Sequence, residues 1–355
     1  MRRALEHARR GLGRTTPNPA VGACVVTDEG VVVGDGAHER AGGPHAEVNA
    51  LDQAGTGARG ATLYCTLEPC AHTGRTGPCT DRIIAAGIRR VVAAMEDPFP
   101  LVGGRGIAAL RAQGIEVVVG VERDAAVRLN LPFLTALREG RPFVILKAAI
   151  SRDGCIAAAP GRRTALTAEA ALRHAHYVRA QVDAVAVGSG TVLVDDPLLT
   201  ARQVYRERPL ARIILDRRLR TPPTARIFST LSAGPVIILA SRAVLADQPE
   251  RARVLERAGG TVLGIADDSL RAALEALPAR GIHSVVLEGG TMVHGAAWDA
   301  GIVDFMQVYV APISLGPEGV PFLGGRAWSP ATLVDRTTTT LGPDVLTEGY
   351  VHRPG

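Results

Sequence analysis

The stretch "LEPCAHTGRTGPC", residues 67–79, places Cys70 and Cys79 on either side of a loop that carries Arg75. The two cysteines are eight residues apart, counted as the residues between them, whereas common zinc ribbons use much shorter gaps. Upstream, His45 follows a proline and opens a predicted helix. One imidazole and two thiolates make a three-ligand zinc site with an open position, which is the layout of catalytic zinc. We therefore predict that His45, Cys70 and Cys79 bind Zn²⁺.

Glu47 lies two residues beyond His45, so on a helix it points away from the ligand and is free to move protons. Zinc with an open position lowers the pKa of a bound water towards neutrality, and a nearby carboxylate suits that chemistry. The competing interpretation is a closed structural site, with His72 as fourth ligand and Glu47 on the surface. The three other cysteines lie in apolar strand-like contexts and are predicted to be core residues: Cys24, Cys65 and Cys155.

His-x-Glu followed by Pro-Cys and a later cysteine resembles the zinc deaminase signature. The long gap with Gly74-Arg75-Thr76 is similar to the pyrimidine deaminase domain of the bifunctional enzymes of riboflavin biosynthesis. The stretches "TPNPAVGACVV" (16–26) and "GDGAHERAGGPHAEVNAL" (34–51) resemble the same family. This resemblance implies that Asn18 hydrogen-bonds the substrate ring, that His38 contacts the substrate, and that Arg75 pairs with its phosphate. It also separates this chain from deaminases that act on bases of nucleic acids.

Helix and strand patterns alternate along the whole chain of 355 residues, which predicts an α/β protein of two domains. The segment "EGRP" (139–142) looks like the joint. We expect a deaminase domain over 1–140 and a second domain over 141–355. The resemblance implies a cytidine-deaminase-like three-layer fold for the first.

Of the 40 Lys and Arg residues, Lys147 is the only lysine, and it lies inside the predicted strand "RPFVILKAAIS" (141–151). A charge within a strand is unfavourable without a partner, so this position favours a functional role. Further on, "VVLEGGTMVHGA" (285–296) reads as a strand, two glycines and a helix start, which presents backbone N–H groups to a phosphate.

Together with "GSGTVLVDDPLLTAR" (188–202), these stretches resemble the reductase domain of the same bifunctional family, whose fold is similar to dihydrofolate reductase. The resemblance implies NADPH as cofactor and a proton handled by Lys147 or Asp195. It also implies substrate contacts from Arg179, Leu199, Arg202 and Glu288. The implied cofactor-binding residues are Ala149, Thr191, Asp195, Gly290, Thr291, Met292, Val293, His294, Gly295 and Ala296.

Three departures from the family pattern stand out. Arg163-Thr164-Ala165 stands where the family has Ser-x-Trp, Arg217 where it often has Ser, and Phe99 where it has Asn. An arginine at 217 suits either a 2′-phosphate, which favours NADPH, or a solvated surface. The change at 163–165 motivates an alternative in which the second domain binds the deaminated product but no longer reduces it.

The composition fits a globular enzyme, with 46% hydrophobic and 21% charged residues. No apolar run has membrane-spanning length and no signal-peptide core is evident, so we expect a cytoplasmic protein without membrane partners. The net charge of +5 raises a zinc-stabilised nucleic-acid-binding protein as a different class. Aromatics at 4% are too sparse for a base-stacking surface, so this class carries little weight. The positive charge fits an Arg-rich composition, and it would also suit a small phosphorylated substrate. The family resemblance suggests a homo-oligomer.

Overall fold

The computed structural model describes residues 1–72, 77–99 and 102–353. The chain divides into two compact units, Met1–Glu139 and Gly140–Arg353, and the division falls within the segment 139–142 noted in the sequence. No helix in the described ranges has the length and apolarity that crossing a membrane requires.

The N-terminal unit contains, in its described residues, a five-stranded sheet in the order β2-β1-β3-β4-β5. β1 runs antiparallel to β2 and β3, whereas β3, β4 and β5 are parallel. The strands are β1 (Gly22–Val26), β2 (Val32–Ala37), β3 (Thr62–Cys65), β4 (Arg90–Ala93) and β5 (Glu116–Val119). The helices are α1 (Arg2–Arg9), α2 (Ala46–Ala54), α3 (Cys79–Ala85), α4 (Arg105–Ala112), α5 (Arg123–Leu129) and α6 (Leu131–Glu139), with a 3-10 turn at Gly55–Ala58.

Glycines in β1 and β2 allow helices α1 and α2 to lie very close to the sheet. A Cβ on Gly22 would stand 1.9 Å from the carbonyl oxygen of Ala4, and one on Gly36 would stand 2.0 Å from that of Ala46. Backbone cannot yield to such overlaps, so these positions require glycine. The close approach fixes the start of α2, where His45 and Glu47 lie.

The C-terminal unit is built on a nine-stranded sheet in the order β11-β10-β9-β8-β12-β6-β13-β16-β15, as far as the described residues go. The first seven strands of this order, from β11 at the edge to β13, run parallel to one another. β16 and β15 complete the sheet as an antiparallel hairpin. Large apolar clusters, one around Val144 and Ile213 and one around Val185 and Ile214, form the core. Adjacent residues of β9, Ile213 and Ile214, belong to different clusters because successive side chains of a strand point to opposite faces.

The strands of this unit are β6 (Phe143–Ile150), β7 (Cys155–Ala157), β8 (Ala184–Gly188), β9 (Ala211–Leu215), β10 (Val236–Ser241), β11 (Gly260–Ile265), β12 (Ser284–Leu287), β13 (Phe305–Val310), β14 (Val320–Pro321), β15 (Val334–Leu341) and β16 (Asp344–Tyr350). β7 and β14 pair separately from the main sheet. The helices are α7 (Glu169–Gln181), α8 (Ser189–Asp195), α9 (Arg242–Asp247), α10 (Pro249–Arg257), α11 (Leu270–Glu275) and α12 (Thr291–Asp299), with 3-10 turns at Arg226–Ala233, Pro278–Arg280, Phe322–Gly325 and Pro330–Thr332.

The structure corrects one detail of the sequence prediction. A proline within a helical pattern predicts a break at Pro132. The helices instead separate at Asn130, and Pro132 lies in the first turn of α6. A proline is tolerated there because the first N–H groups of a helix have no partner within the helix.

Candidate active sites

The three predicted metal ligands lie together in the N-terminal unit. His45 caps the start of α2, Cys70 follows β3, and Cys79 begins α3. The Nδ1 atom of His45 is 3.1 Å from the sulfur of Cys79 and 3.5 Å from that of Cys70. All three ligand atoms lie within 4.8 Å of one another. The backbone N–H of Cys79 also lies 3.4 Å from the sulfur of Cys70.

This donor set fits zinc. Tetrahedral Zn–N and Zn–S bonds place a nitrogen and a sulfur about 3.6 Å apart, which is close to the observed spacing. The adjacent thiol of Cys79 lowers the pKa of Cys70, which favours the thiolate form that a metal binds. Among the described residues the group consists of these three side chains, and His72 is not part of it. Three ligands leave room for a further, exchangeable one.

Glu47 lies beside the ligands and is buried, with 3% of its surface exposed. Its carboxyl is close enough to hydrogen-bond the thiol of Cys79. Burial raises the pKa of Glu47 to about 7. The competing interpretation, which placed Glu47 on the protein surface, is therefore wrong on this point.

Asn18 and His38 lie next to this cluster. The Nδ1 of His38 lies 2.9 Å from the carbonyl oxygen of Pro44, which can only accept, so Nδ1 carries the proton. The Nε2 atom then accepts a hydrogen bond from the Nδ2 of Asn18 at 3.1 Å. Burial lowers the pKa of His38, in keeping with this neutral form. The ring of His38 stands edge-on to that of His45, 5.5 Å between centroids. Arg75, the third predicted substrate contact, lies outside the described residues.

Glu68 is a residue that the sequence reasoning missed. Its buried carboxylate accepts hydrogen bonds from four backbone N–H groups at 2.8–3.1 Å, those of Asp97, Gly104, Gly106 and Ile107. Two of these donors lie in the first turn of α4, where a negative charge is favoured. Glu68 therefore anchors the segment that carries Cys70. The signal in the sequence is a glutamate directly before Pro-Cys, which by itself did not indicate this role.

The C-terminal unit contains a cavity of about 1130 Å³ along the carboxyl ends of its parallel strands. Ligands of open parallel sheets bind in the crevice beyond these strand ends, which is where this cavity lies. Its described lining has nine Lys and Arg side chains against six Asp and Glu side chains. The excess of positive charge suits a ligand that carries several phosphate charges.

A charge network lies at one end of this cavity. Arg179 donates from Nε and Nη2 to the two carboxylate oxygens of Glu288, at 2.7 and 2.9 Å. Lys147 extends from β6 and places its Nζ 3.6 Å from the same carboxylate. Burial alone would raise the pKa of Glu288, but the charges of Arg179 and Lys147 outweigh it and hold the pKa below its usual range.

The other predicted substrate residues, Leu199 and Arg202, also line the cavity. Leu199 has a φ of 53°, which is uncommon for a leucine. Backbone held in such a region clusters at functional sites, in keeping with the predicted role.

The predicted cofactor residues line the cavity with one exception. Those that do are Ala149, Thr191, Asp195, Gly290, Thr291, Met292, Val293, His294 and Ala296. Gly295 instead packs against Arg326, where a Cβ would stand 2.4 Å from the guanidinium. Gly295 therefore lies apart from the described cavity lining, and its predicted contact with the cofactor stays a prediction.

The turn before α12 fits a phosphate. A Cβ on Gly290 would meet nothing within 4 Å, so the backbone is open to an approaching group. The buried Oγ1 of Thr291 has no hydrogen-bond partner among the described atoms. Backbone N–H groups at the start of the helix and an orphaned hydroxyl are the donors that a cofactor phosphate requires.

The fold and the two sites define a zinc-deaminase domain joined to a dihydrofolate-reductase-like domain. The family model described as "RibD C-terminal domain" matches residues 142–347, and that described as "Cytidine and deoxycytidylate deaminase zinc-binding region" matches residues 1–95. The chain therefore belongs to the RibD family, the bifunctional deaminase and reductase enzymes of riboflavin biosynthesis. The family resemblance and the fold class predicted from the sequence are confirmed.

Relatives match along nearly the whole chain. The riboflavin biosynthesis protein RibD of Aquifex aeolicus is 44% identical, covering 98% of this chain and 96% of its own length. The structure of Acinetobacter baumannii RibD has a TM-score of 0.84 at 37% identity, covering 98% of this chain and 96% of that one. A Thermotoga maritima structure, titled a diaminohydroxyphosphoribosylaminopyrimidine deaminase/5-amino-6-(5-phosphoribosylamino)uracil reductase, has a TM-score of 0.84 at 35% identity with the same coverage.

Proposed function

We propose that this chain performs two consecutive steps of riboflavin synthesis. The N-terminal unit hydrolytically deaminates 2,5-diamino-6-(5-phosphoribosylamino)pyrimidin-4(3H)-one, and the C-terminal unit reduces the ribosyl chain of 5-amino-6-(5-phosphoribosylamino)uracil to ribityl with NADPH. The observation that carries this proposal is the pairing, in one chain, of a His/Cys/Cys cluster beside a buried glutamate with a basic cavity containing a lysine-glutamate pair.

In the deamination, His45, Cys70 and Cys79 would hold Zn²⁺. Zinc at such a site supplies an acidified water as nucleophile at neutral pH. Glu47 takes one proton from the attacking water and gives it to the ring nitrogen. It then takes the second proton from the hydroxyl now on the carbon and gives it to the amino group, which leaves as ammonia. Its burial next to Cys79 supports this role, because the carboxyl is held at the ligands without being one. The amide of Asn18, positioned by His38, and the side chain of Arg75 would bind the ring and the phosphate.

In the reduction, bound NADPH would supply a hydride to C1 of the opened ribosyl chain. The residues from Gly290 to His294, together with Ala296, Ala149 and Thr191, would hold the cofactor. We assign the accompanying proton to the Lys147 ammonium, which Glu288 positions from 3.6 Å at the cavity wall. Arg202 would bind the substrate phosphate, and Arg179 would act mainly by fixing Glu288, because three of its donor groups bond within the protein.

Asp195 is the second candidate for this proton. Burial raises the pKa of Asp195, while the charge of Arg163 opposes the shift. A raised pKa favours the protonated form of a carboxyl, which is the form that can donate a proton. Lys147→Gln and Asp195→Asn, compared below, distinguish the two residues.

A deaminase whose second unit binds the product without reducing it is the competing function. The motivating observation is that Arg163 and Thr164 line the cavity where the family has Ser-x-Trp. Thr164 uses its Oγ1 to accept a hydrogen bond from the N–H of Ala158, so part of this stretch serves the fold itself.

Mass spectrometry of the products formed from the diaminopyrimidine tests both steps. Zinc-loaded protein should replace an amino nitrogen by oxygen without NADPH, and should add two hydrogens to that product only when NADPH is present. A metal chelator should abolish the first change while sparing the second with deaminated substrate. Deamination without any NADPH-dependent gain of hydrogen supports the competing function, and no deamination by the zinc-loaded protein overturns the proposal.

We also expect a cytoplasmic homo-oligomer, as the family resemblance suggests. Light scattering coupled to size-exclusion chromatography measures the mass of the assembly, and a monomer at micromolar concentration would contradict this expectation.

A further inference from the structure

The cavity of the C-terminal unit is long enough to have two functionally different ends. Its lining includes Lys147 on β6 and Ile265 at the end of β11, and these strands are five positions apart in the sheet. With about 4.8 Å between neighbouring strands, the distance is on the order of 24 Å. If the chemistry occurs at Lys147 and Glu288, the adenosine part of a dinucleotide extends towards β9, β10 and β11.

Apolar and basic side chains meet at this second end. Leu270 offers a partly exposed apolar side chain to a base, and the buried Leu239 and Ile265 belong to the same cavity wall. Arg217 and Arg220 lie in the turn after β9. In the described part of the chain, neither arginine forms an ion pair with a carboxylate: Arg217 donates to the backbone carbonyl of Asp268 at 3.4 Å and Arg220 to a hydroxyl. Their charge is therefore available to an anionic ligand.

Arg220 is held in place more firmly than Arg217. The turn that carries it is closed by the buried carboxylate of Asp216, which accepts from both the N–H and the hydroxyl of Thr221 at 2.7 Å. Leu219 within this turn is fully buried. The Nη2 of Arg220 donates to the Oγ of Ser189 at 2.9 Å, and Ser189 is itself 3% exposed.

We propose that Arg220 and Ser189 together recognise the 2′-phosphate of NADPH and so select it over NADH. The inference rests on the proposed reductase function. Since the Ser189 oxygen accepts from Arg220, its own O–H is free to donate to a phosphate oxygen, and the guanidinium retains further N–H donors. Charge-assisted bonds of this kind are strong with a phosphate and are lost with the neutral 2′-hydroxyl of NADH.

Asp267 and Asp268 line the same end of the cavity and would oppose a phosphate placed next to them. The carboxylate of Asp267 is occupied by the N–H and hydroxyl of Ser269, at 2.9 and 3.1 Å. Arg217 bonds to the backbone of Asp268 and so lies on their side. This arrangement places the 2′-phosphate near Arg220. Arg217, the position noted in the sequence, then contributes less to its recognition.

The test is direct binding by isothermal titration calorimetry, with adenosine 2′,5′-bisphosphate, AMP, NADPH and NADH as probes. Wild type should bind the bisphosphate more tightly than AMP. Arg220→Ala should raise the Kd for the bisphosphate and for NADPH by roughly ten- to a hundredfold while leaving AMP and NADH within about twofold. Ser189→Ala should show a smaller loss of the same selectivity, and Arg220→Lys should retain part of it.

Arg253→Gln removes the same charge from exposed helix α10 and should leave all four affinities unchanged. Thermal unfolding of each variant verifies folding. Equal weakening of AMP and the bisphosphate by Arg220→Ala, or equal binding of both by wild type, overturns the inference while leaving the reductase function in place. Failure of wild type to bind NADPH or to reduce the deaminated product overturns the reductase function itself.

Discussion

Glu47 in the N-terminal unit and Glu288 in the C-terminal unit are both buried carboxylates, yet their surroundings shift them in opposite directions. Burial raises the pKa of Glu47 to about 7. Burial acts on Glu288 in the same sense, but Arg179 and Lys147 outweigh it and lower its pKa. The comparison suggests that Glu47 is suited to exchange a proton, whereas Glu288 is a permanent anion that positions two cations.

The two sites also differ in how they are built. The ligand atoms of the zinc cluster lie within 4.8 Å of one another and come from segments before α2, after β3 and at α3. The reductase cavity of about 1130 Å³ draws on residues from Lys147 to Val320, spread over many elements. We therefore expect single substitutions to abolish function in the first site and to separate binding from chemistry in the second.

The largest expected effect is that of Glu47→Gln, because an amide keeps the shape but cannot carry a proton. Deamination should fall by roughly 10³-fold, within the range known for loss of a general acid-base group. Zinc content, measured by elemental analysis, should be unchanged, as should reduction of the deaminated substrate. Asp52→Asn, on the exposed side of the same helix, is the matched control. Deamination above a tenth of the wild-type rate would show that Glu47 is not the proton carrier.

Lys147→Gln should have the opposite effect to Glu47→Gln: it should impair reduction and leave deamination intact. Reduction should fall by roughly 10²–10³-fold with deamination unaffected, because the group that supplies the proton is removed. Lys147→Arg should not restore the rate, since a guanidinium does not release its proton. The Kd for NADPH, followed by its fluorescence, should change little. If Asp195→Asn causes the larger loss instead, Asp195 supplies the proton and the assignment of Lys147 is wrong.

The zinc cluster could be predicted because its three ligands are recognisable in the sequence by residue type and spacing. Glu68 could not, because its partners are backbone N–H groups on segments 29 to 39 residues further along the chain. Such groups have no side-chain signature. The close contact of Gly106 with the carbonyl of Pro69, where a Cβ would stand 1.9 Å away, likewise appears only in three dimensions.

In the C-terminal unit, long apolar strands such as β6, β8 and β10 can be predicted from the sequence, because a buried strand leaves a continuous hydrophobic run. The two-residue β14 and three-residue β7 are too short to give a pattern, and the two glycines of β11 interrupt its hydrophobic run. The order of strands across the sheet, which brings Lys147 to Glu288, depends on packing between distant segments. The reductase site was therefore accessible mainly through family resemblance.

Glu68→Gln tests whether the zinc cluster depends on the hydrogen bonds that the Glu68 carboxylate accepts. The amide oxygen can serve only part of the four N–H donors, and hydrogen bonds to charged groups contribute about 1.5–3 kcal/mol each, so we expect a loss of roughly 3 kcal/mol in unfolding free energy. Urea denaturation, monitored through the release of zinc, measures this loss of unfolding free energy. Glu96→Gln, an exposed glutamate near the end of β4, is the control. A loss below about 1 kcal/mol would mean that the anchor is dispensable.

His294 offers the contrasting case in the C-terminal unit, a buried group without support. It is 1% exposed, and neither ring nitrogen makes a hydrogen bond within the described structure. Burial, aided by the charge of Lys147, lowers the pKa of His294 from 6.5 to about 4. Between pH 4 and pH 6.5, His294 is therefore protonated in the unfolded chain and neutral in the folded chain. Unfolding free energy should therefore be highest above pH 6.5 and should fall as the pH drops towards 4, by up to about 3 kcal/mol.

His294→Leu should remove this acid-side loss and leave stability at neutral pH within about 1 kcal/mol, because the side chain lost there has no hydrogen bond to give up. Urea midpoints of the cofactor-free protein at pH 7 and pH 5 measure the difference. Both tryptophans of the chain, Trp298 and Trp328, belong to the C-terminal unit, so their fluorescence reports its unfolding. His352→Leu, at an exposed position, should keep the wild-type pH dependence. If His294→Leu also keeps the wild-type pH dependence, the folded protein accommodates the charged imidazole. The contrast between Glu68 and His294 then does not hold.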